Sequence, residues 1–191
     1  MGRVPPVPAS EAGVLGRLAY RLAERRFGAM PEPFAVARHH RKLFWAGLLA
    51  EFGFEKASTT LPRNVREIAV YRAATQVGCS WCVDFGTMLQ RLEGLDVERL
   101  RHIDDYRTSP RYDDAERLAI GYADAMSATP MTVTDEQVAE LERRFGRAGL
   151  IELTTSIALE NMRGRSNHAL GLTDQGFDAA CRLRPAAGRA R

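Results

Sequence analysis

The chain has 191 residues, 45% hydrophobic, 27% charged and 8% aromatic, which excludes a disordered or collagen-like polymer and suits one globular domain with short arms. No stretch approaches the roughly 20 apolar residues of a membrane span, and the opening MGRVPPVPASEAG lacks the apolar core of a secretory signal. The net charge of +3 rests on Arg182, Arg184, Arg189 and Arg191 in the last ten residues, which hold no acid. Basicity confined to a Pro/Ala/Gly tail without aromatic residues reads as solvated chain rather than a nucleic-acid footprint. The expectation is a cytoplasmic protein that contacts neither nucleic acid nor membrane.

Spacing and punctuation then predict helix after helix. Ser10 is placed to cap a segment ending near Phe27, with Val14, Leu15, Leu18 and Leu22 on one stripe and Gly28 as the stop. Pro31 and Pro33 open a second, ARHHRKLFWAGLLAEF, whose apolar face is Leu43, Phe44, Leu48, Leu49 and Phe52 and which Gly53 closes. This helical pair fills residues 1–60 and is expected to pack on the core or on a neighbouring subunit. A third helix starts at Pro62 and carries Val65, Ile68, Ala69 and Ala73 to Val77-Gly78; a fourth runs from Cys79 to Glu93. Asp96 caps a short DVERLRHI segment. From Tyr112 to Ala128, Ala115, Leu118, Ala119, Tyr122 and Ala125 or Met126 face inward, and Pro130 stops the run. Thr134 and Gln137 form a capping-box pattern before Val138, Leu141 and Phe145. Gly146 and Gly149 separate that helix from a last one, Leu150 to Met162, with Ile151, Thr154, Ile157 and Ala158 at helical spacing. Nowhere does a strand-like alternation occur. The fold class is all-α, with a core over 61–181 and a basic flexible tail over 182–191.

Chemistry concentrates at Cys79 and Cys82. A CxxC serves zinc or dithiol redox chemistry. Structural zinc takes four Cys/His ligands, and the rest of the chain offers only Cys181 and the scattered His39, His40, His102 and His168, so no metal site is expected. Redox chemistry needs two sulfurs within reach, and positions i and i+3 of a helix share a face with Cβ atoms about 5–6 Å apart. A helix starting at Cys79 would also lower the pKa of whichever thiol points into its positive end. The bland reading is a pair of buried small hydrophobes. Cys181 is spaced from nothing and reads as an incidental thiol. Phe44, Trp45, Phe52, Phe54 and Trp81 read as core or interface aromatics.

The run LPRNVREIAVYRAATQVGCSWC, followed by DDAERLAIGYADAMSATP and VTDEQVAELERRFGRAGLIELTTSIALENMRGR, resembles the carboxymuconolactone decarboxylase family in its alkylhydroperoxidase D-like branch. Glu67 stands twelve residues before Cys79, as in that family. The resemblance covers Pro62 to Gly171 and implies an all-helical fold that assembles as a dimer, trimer or hexamer. It further implies thiol-dependent reduction of a small hydroperoxide without a cofactor, with an external thiol as reductant. Carried over residue by residue, Cys82 is the attacking thiolate, Cys79 the resolver and Glu67 the proton-relay acid. One departure stands out: Gly86 and Phe85 occupy the positions four and three residues after the second cysteine, where the family carries histidine. Asp84 and His168 are therefore candidate relays. On one straight helix Glu67 would lie about 18 Å from Cys79, so it meets the pair only if the chain folds back near Val77-Gly78. Two other readings stay open: a redox-sensing or otherwise non-peroxidase oligomer, and a cofactor-free decarboxylase or isomerase of a small cyclic acid.

Overall fold

A computed structural model describes residues 2–182, and no strand occurs among them. The elements are α1 (Gly13–Phe27), α2 (Glu32–Ala37), α3 (Arg41–Ala57), α4 (Arg63–Val77), α5 (Ser80–Leu92), a 3-10 segment (Glu98–Asp105), α6 (Asp114–Ser127), α7 (Asp135–Leu170) and α8 (Phe177–Arg182). The tail beyond Arg182, with Arg184, Arg189 and Arg191, lies outside the described residues, as does the side chain of Cys181.

Helix α4 is the axis of the core. Ala69 and Ala73 on it and Ala119 and Ala123 on α6 are all fully buried, and four small side chains let the two backbones approach closely. Val65, Leu61, Tyr122, Leu141, Leu153 and Ile157 close the same cluster and bring α7 onto it. Asp113 starts α6 through a complete capping box with Glu116. The buried Glu116 carboxylate also takes bonds from Arg99 and from Asn64 Nδ2 (2.9 Å), which ties the 3-10 segment to α4. Gly146 breaks α7 as expected, at φ 69°, ψ 171°. Gly149 does not break it: it is helical and seats Leu61, whose Cδ2 would lie 3.2 Å from an added Cβ.

The N-terminal segment departs from its expected form. It contains three helices rather than two, because the chain turns at His39-His40: His40 Nδ1 caps α3 by accepting from the Leu43 amide (3.2 Å), while His39 Nε2 lies 2.9 Å from the Pro5 carbonyl oxygen. Ser10 caps nothing; Ala12 holds the N-cap position of α1 without a side-chain bond. Nor does Gly53 end α3, which continues to Ala57, since a helical glycine destabilises by only about 1 kcal/mol. The α1 stripe of Val14, Leu15, Leu18 and Leu22 is 54–73% exposed. In its place α1 buries Tyr20 and Gly16, against which the buried Arg38 packs while donating to Ala12 O (2.6 Å). On α3 only Phe44 is buried, whereas Leu43, Leu49, Phe52 and Phe54 face outward. Arg163 of α7 holds α3 to the core through Glu51 (2.9 and 2.5 Å).

The alanine contact makes a direct prediction. Ala119→Leu inserts volume at a fully buried contact and should destabilise by about 1–3 kcal/mol, lowering the urea midpoint with little change in slope; an unchanged midpoint would mean that α4 and α6 have slack between them.

Candidate dithiol site

Gly78, at φ 73°, ends α4 in the left-handed region that glycine enters without strain. The chain reverses there, and Cys79 follows in extended geometry (φ −87°, ψ 92°) as the N-cap of α5. That turn brings the two sulfurs together: Cys79 and Cys82 are joined in a disulfide with a Cα–Cα distance of 5.2 Å. Cys79 Sγ also accepts the Cys82 backbone N–H (3.2 Å), so the amides of the helix start point at sulfur. The two residues are 3% and 6% exposed.

Helix α7 closes the pair from the opposite side. Its buried stripe, Leu153, Ile157, Glu160, Gly164 and Asn167, repeats every three or four residues and lies one position off the face that Ile151 and Thr154 suggested. An added Cβ at Gly164 would lie 3.0 Å from Val77 Cγ1 and 3.4 Å from Cys79 Cβ, so only glycine lets α7 come this near. One turn on, Asn167 Nδ2 reaches Cys82 Sγ at 3.5 Å and Cys79 Sγ at 3.6 Å.

Beside the sulfurs stands an aromatic wall. Trp81 stacks on Phe85 (4.6 Å between centroids, 19° between planes), and Phe177 meets Phe85 edge-on at 5.2 Å, as does Phe27 at 5.0 Å. Trp81 Nε1 donates to Gln175 Oε1 (2.6 Å). Phe85, in one of the histidine positions, is thus part of this wall. Gly86, in the other, faces Tyr71, whose ring would lie 3.8 Å from an added Cβ; burial pushes the Tyr71 hydroxyl up.

The remaining expected residues are spread around this centre. The fold-back that Glu67 needs does occur, since Gln90 Nε2 of α5 donates to the Glu67 carbonyl oxygen (3.4 Å). Ala74, which packs with both cysteines, lies two turns along α4 from Glu67, or about 10 Å. The Glu67 carboxylate accepts from Arg66 (2.9 and 3.1 Å), and none of its hydrogen bonds involves a cysteine. Asp84 is an anchor rather than a relay: it accepts the backbone N–H groups of Gln175, Phe177 and Asp178 (2.8–3.0 Å) and fastens α8 to α5. His168 is exposed and lines a surface groove of about 340 Å³ with Gln76, Val77, Ser127, Thr129 and Arg165; the inward residue is its neighbour Asn167. Among the described residues no three His, Cys, Asp or Glu side chains are grouped to hold a metal ion.

Glu160 carries no hydropathy signal for burial, but it continues the buried stripe from Leu153 and Ile157. It is buried and accepts from Arg163 Nη1 (3.2 Å). Burial raises its pKa, Arg163 opposes this, and the charges of Glu51 and Glu67 add to the rise. A carboxyl whose native pKa exceeds its unfolded value binds more protons in the native state, so stability falls as pH climbs above the ordinary carboxyl range. Glu160→Gln should remove that decline, giving a Tm advantage over the wild type that widens from pH 5 to pH 8; a constant difference would show that Glu160 is ionised throughout.

No family model matches the chain. YnjA, an uncharacterized protein of Escherichia coli K12, is 31% identical over 176 residues, covering 92% of this chain and 95% of YnjA. The apo debrominase Bmp8 superposes with a TM-score of 0.77 at 22% identity over 93% of this chain and 95% of its own. A cysteine-to-alanine variant of Bmp8 in complex with 2,3,4-tribromopyrrole superposes equally well. An uncharacterized peroxidase-related protein of Ralstonia eutropha JMP134, with an alkylhydroperoxidase AhpD core, gives a TM-score of 0.77 at 16% identity, covering 96% of this chain and 98% of that one.

Proposed function

The chain belongs to the carboxymuconolactone decarboxylase family, in its alkylhydroperoxidase D-like branch, and on that footing we propose that it is a thiol-dependent oxidoreductase cycling Cys79 and Cys82 between dithiol and disulfide. The observation that carries the reading is the buried Cys79–Cys82 bond at the start of α5, with Asn167 directed at both sulfurs. With a hydroperoxide, the Cys82 thiolate attacks the O–O bond, the alcohol leaves, and Cys82 becomes a sulfenic acid. Cys79 displaces water from it to form the disulfide, and an external dithiol reopens the bond while being oxidised itself. Glu67 serves as proton donor through solvent, since its carboxylate stands apart from the sulfurs.

A second substrate class has its own support. The wall of Trp81, Phe85 and Phe177 replaces the imidazole side of the site with aromatic surface, and the fold likeness to a debrominase extends over the N-terminal helices. In that reaction an aryl bromide and two thiols give the hydrogen-substituted arene, the disulfide and HBr, so the same pair supplies both electrons.

One assay separates these readings. Reduced protein is mixed with an organic hydroperoxide or with 2,3,4-tribromopyrrole, an external dithiol is present, and product and disulfide are followed together. Cys82→Ser and Cys79→Ser should each lower turnover on the order of a hundredfold or more. Normal turnover by Cys82→Ser overturns the reading. Disulfide formation no faster than in a free thiol, with either substrate, leaves the redox-sensing reading in its place.

Assembly belongs to the same proposal. Val14, Leu15, Leu18 and Leu22 of α1 and Leu43 and Leu49 of α3 are 54–73% exposed, and a second copy covering them would remove that apolar surface from water. Leu18→Glu combined with Leu49→Glu should reduce the sedimentation mass from oligomer to monomer. A monomeric wild type at micromolar concentration overturns this part.

A further inference from the structure

The geometry points to Asn167 as the residue that sets the acidity and redox poise of the dithiol. The inference rests on the dithiol reading above but not on which substrate the pair reduces. Asn167 is 5% exposed, and its Nδ2 donates to Cys82 Sγ at 3.5 Å and Cys79 Sγ at 3.6 Å. Neutral disulfide sulfur is a weak acceptor. A buried amide facing only such sulfurs is poorly satisfied, and an under-satisfied buried donor destabilises by about 1–3 kcal/mol. Once the bond is reduced and one sulfur is a thiolate, the same N–H meets a full negative charge, and charge-assisted hydrogen bonds are roughly twice as strong as neutral ones. The Cys82 amide adds a second donor to Cys79 Sγ. The pocket is therefore built for the reduced, ionised pair: Asn167 lowers the pKa of the first thiol and makes the disulfide more oxidising.

Gly164 is part of the same device. Its missing side chain lets α7 rest on Val77 and Cys79, which brings the Asn167 amide within reach of sulfur. Unlike imidazole, a carboxamide neither gains nor loses a proton, so Asn167 stabilises a thiolate without itself acting as acid or base.

The test uses the full chain carrying Cys181→Ser, so that only the pair reacts. The reduced protein and its Asn167→Ala and Asn167→Asp variants are alkylated with iodoacetamide across pH 4–10, and each disulfide is equilibrated with glutathione. Asn167→Ala should raise the midpoint of the alkylation profile by about one pH unit and shift the exchange equilibrium about tenfold toward the disulfide, or about 30 mV. Asn167→Asp has the same shape but presents an acceptor, and should shift both readouts further in the same direction. A purely structural role would lower Tm in both variants and leave the pH midpoint where it was, which overturns the inference. A midpoint that moves down overturns it as well, because the amide oxygen, rather than its N–H, would then face the sulfurs. If Asn167→Ala does not fold, the isosteric Asn167→Asp decides alone. Neither readout involves peroxide or bromopyrrole turnover, so failure of the proposed activity and failure of this inference are separate results.

Discussion

The dithiol site depends on how closely α7 lies over the turn between α4 and α5. Gly78 lets that turn reverse within one residue, and Gly164 lets α7 settle onto its product. A methyl group at Gly164 would meet Val77 at 3.0 Å, tighter than ordinary van der Waals contact. The penalty would reach past packing, because the helix that moved away would carry Asn167 with it. The alanine contact between α4 and α6 works in the same direction: small residues hold α4 at a fixed depth in the core, so the Gly78 turn has a rigid base from which to present Cys79.

The covering on the other side of α5 is built from polar anchors around an aromatic centre. Asp84 takes three backbone N–H groups of the 175–178 segment, Trp81 donates to Gln175, and Arg91 pairs with Asp178. Gln175 also reaches the N-terminal segment, accepting from the Glu32 amide (2.8 Å) and donating to the Met30 carbonyl (3.3 Å). One side chain therefore joins the N-terminal helices, the CxxC helix and the C-terminal helix. The N-terminal segment is thereby tied to the edge of the dithiol site as well as to α7 through Glu51.

Much of this was legible in the sequence, and the misses have physical reasons. The helices of the core announced themselves because their buried positions are apolar and their ends carry strong signals, such as Pro62 and Gly78 around α4 and Thr134 before α7. The orientation of α1 is not legible from hydropathy, because Val14, Leu15, Leu18 and Leu22 form a stripe that hydropathy assigns to the interior, while the residues buried in this chain are Gly16 and Tyr20. A stripe on its own does not say whether its partner is the same chain. On α7 the converse held: the buried face holds Glu160, Gly164 and Asn167, which hydropathy assigns to solvent, and only strict extension of the Leu153–Ile157 spacing reaches them. Histidine carries a stronger chemical signal than asparagine, yet His168 lines the surface groove and the residue directed at the sulfurs is its neighbour Asn167.

The side chain directed at the sulfurs is an amide rather than an imidazole, which bears on how the site would respond to pH. A histidine relay works over the range in which it exchanges a proton, near its own pKa. Asn167 has no such range, so any pH dependence of its proposed effect would follow the ionisation of the thiol it faces. What varies with pH is the thiol itself, together with the buried Glu160 carboxyl of α7. Glu160 is held toward its neutral form by burial and by the charges of Glu51 and Glu67, with Arg163 pulling the other way. This titrating carboxyl is separate from the sulfurs: Glu160 and Asn167 lie seven residues apart on α7, about 10 Å on one face. On the proposed peroxide reading, the proton taken up when the alcohol leaves would reach the sulfurs through solvent rather than from a ring beside them.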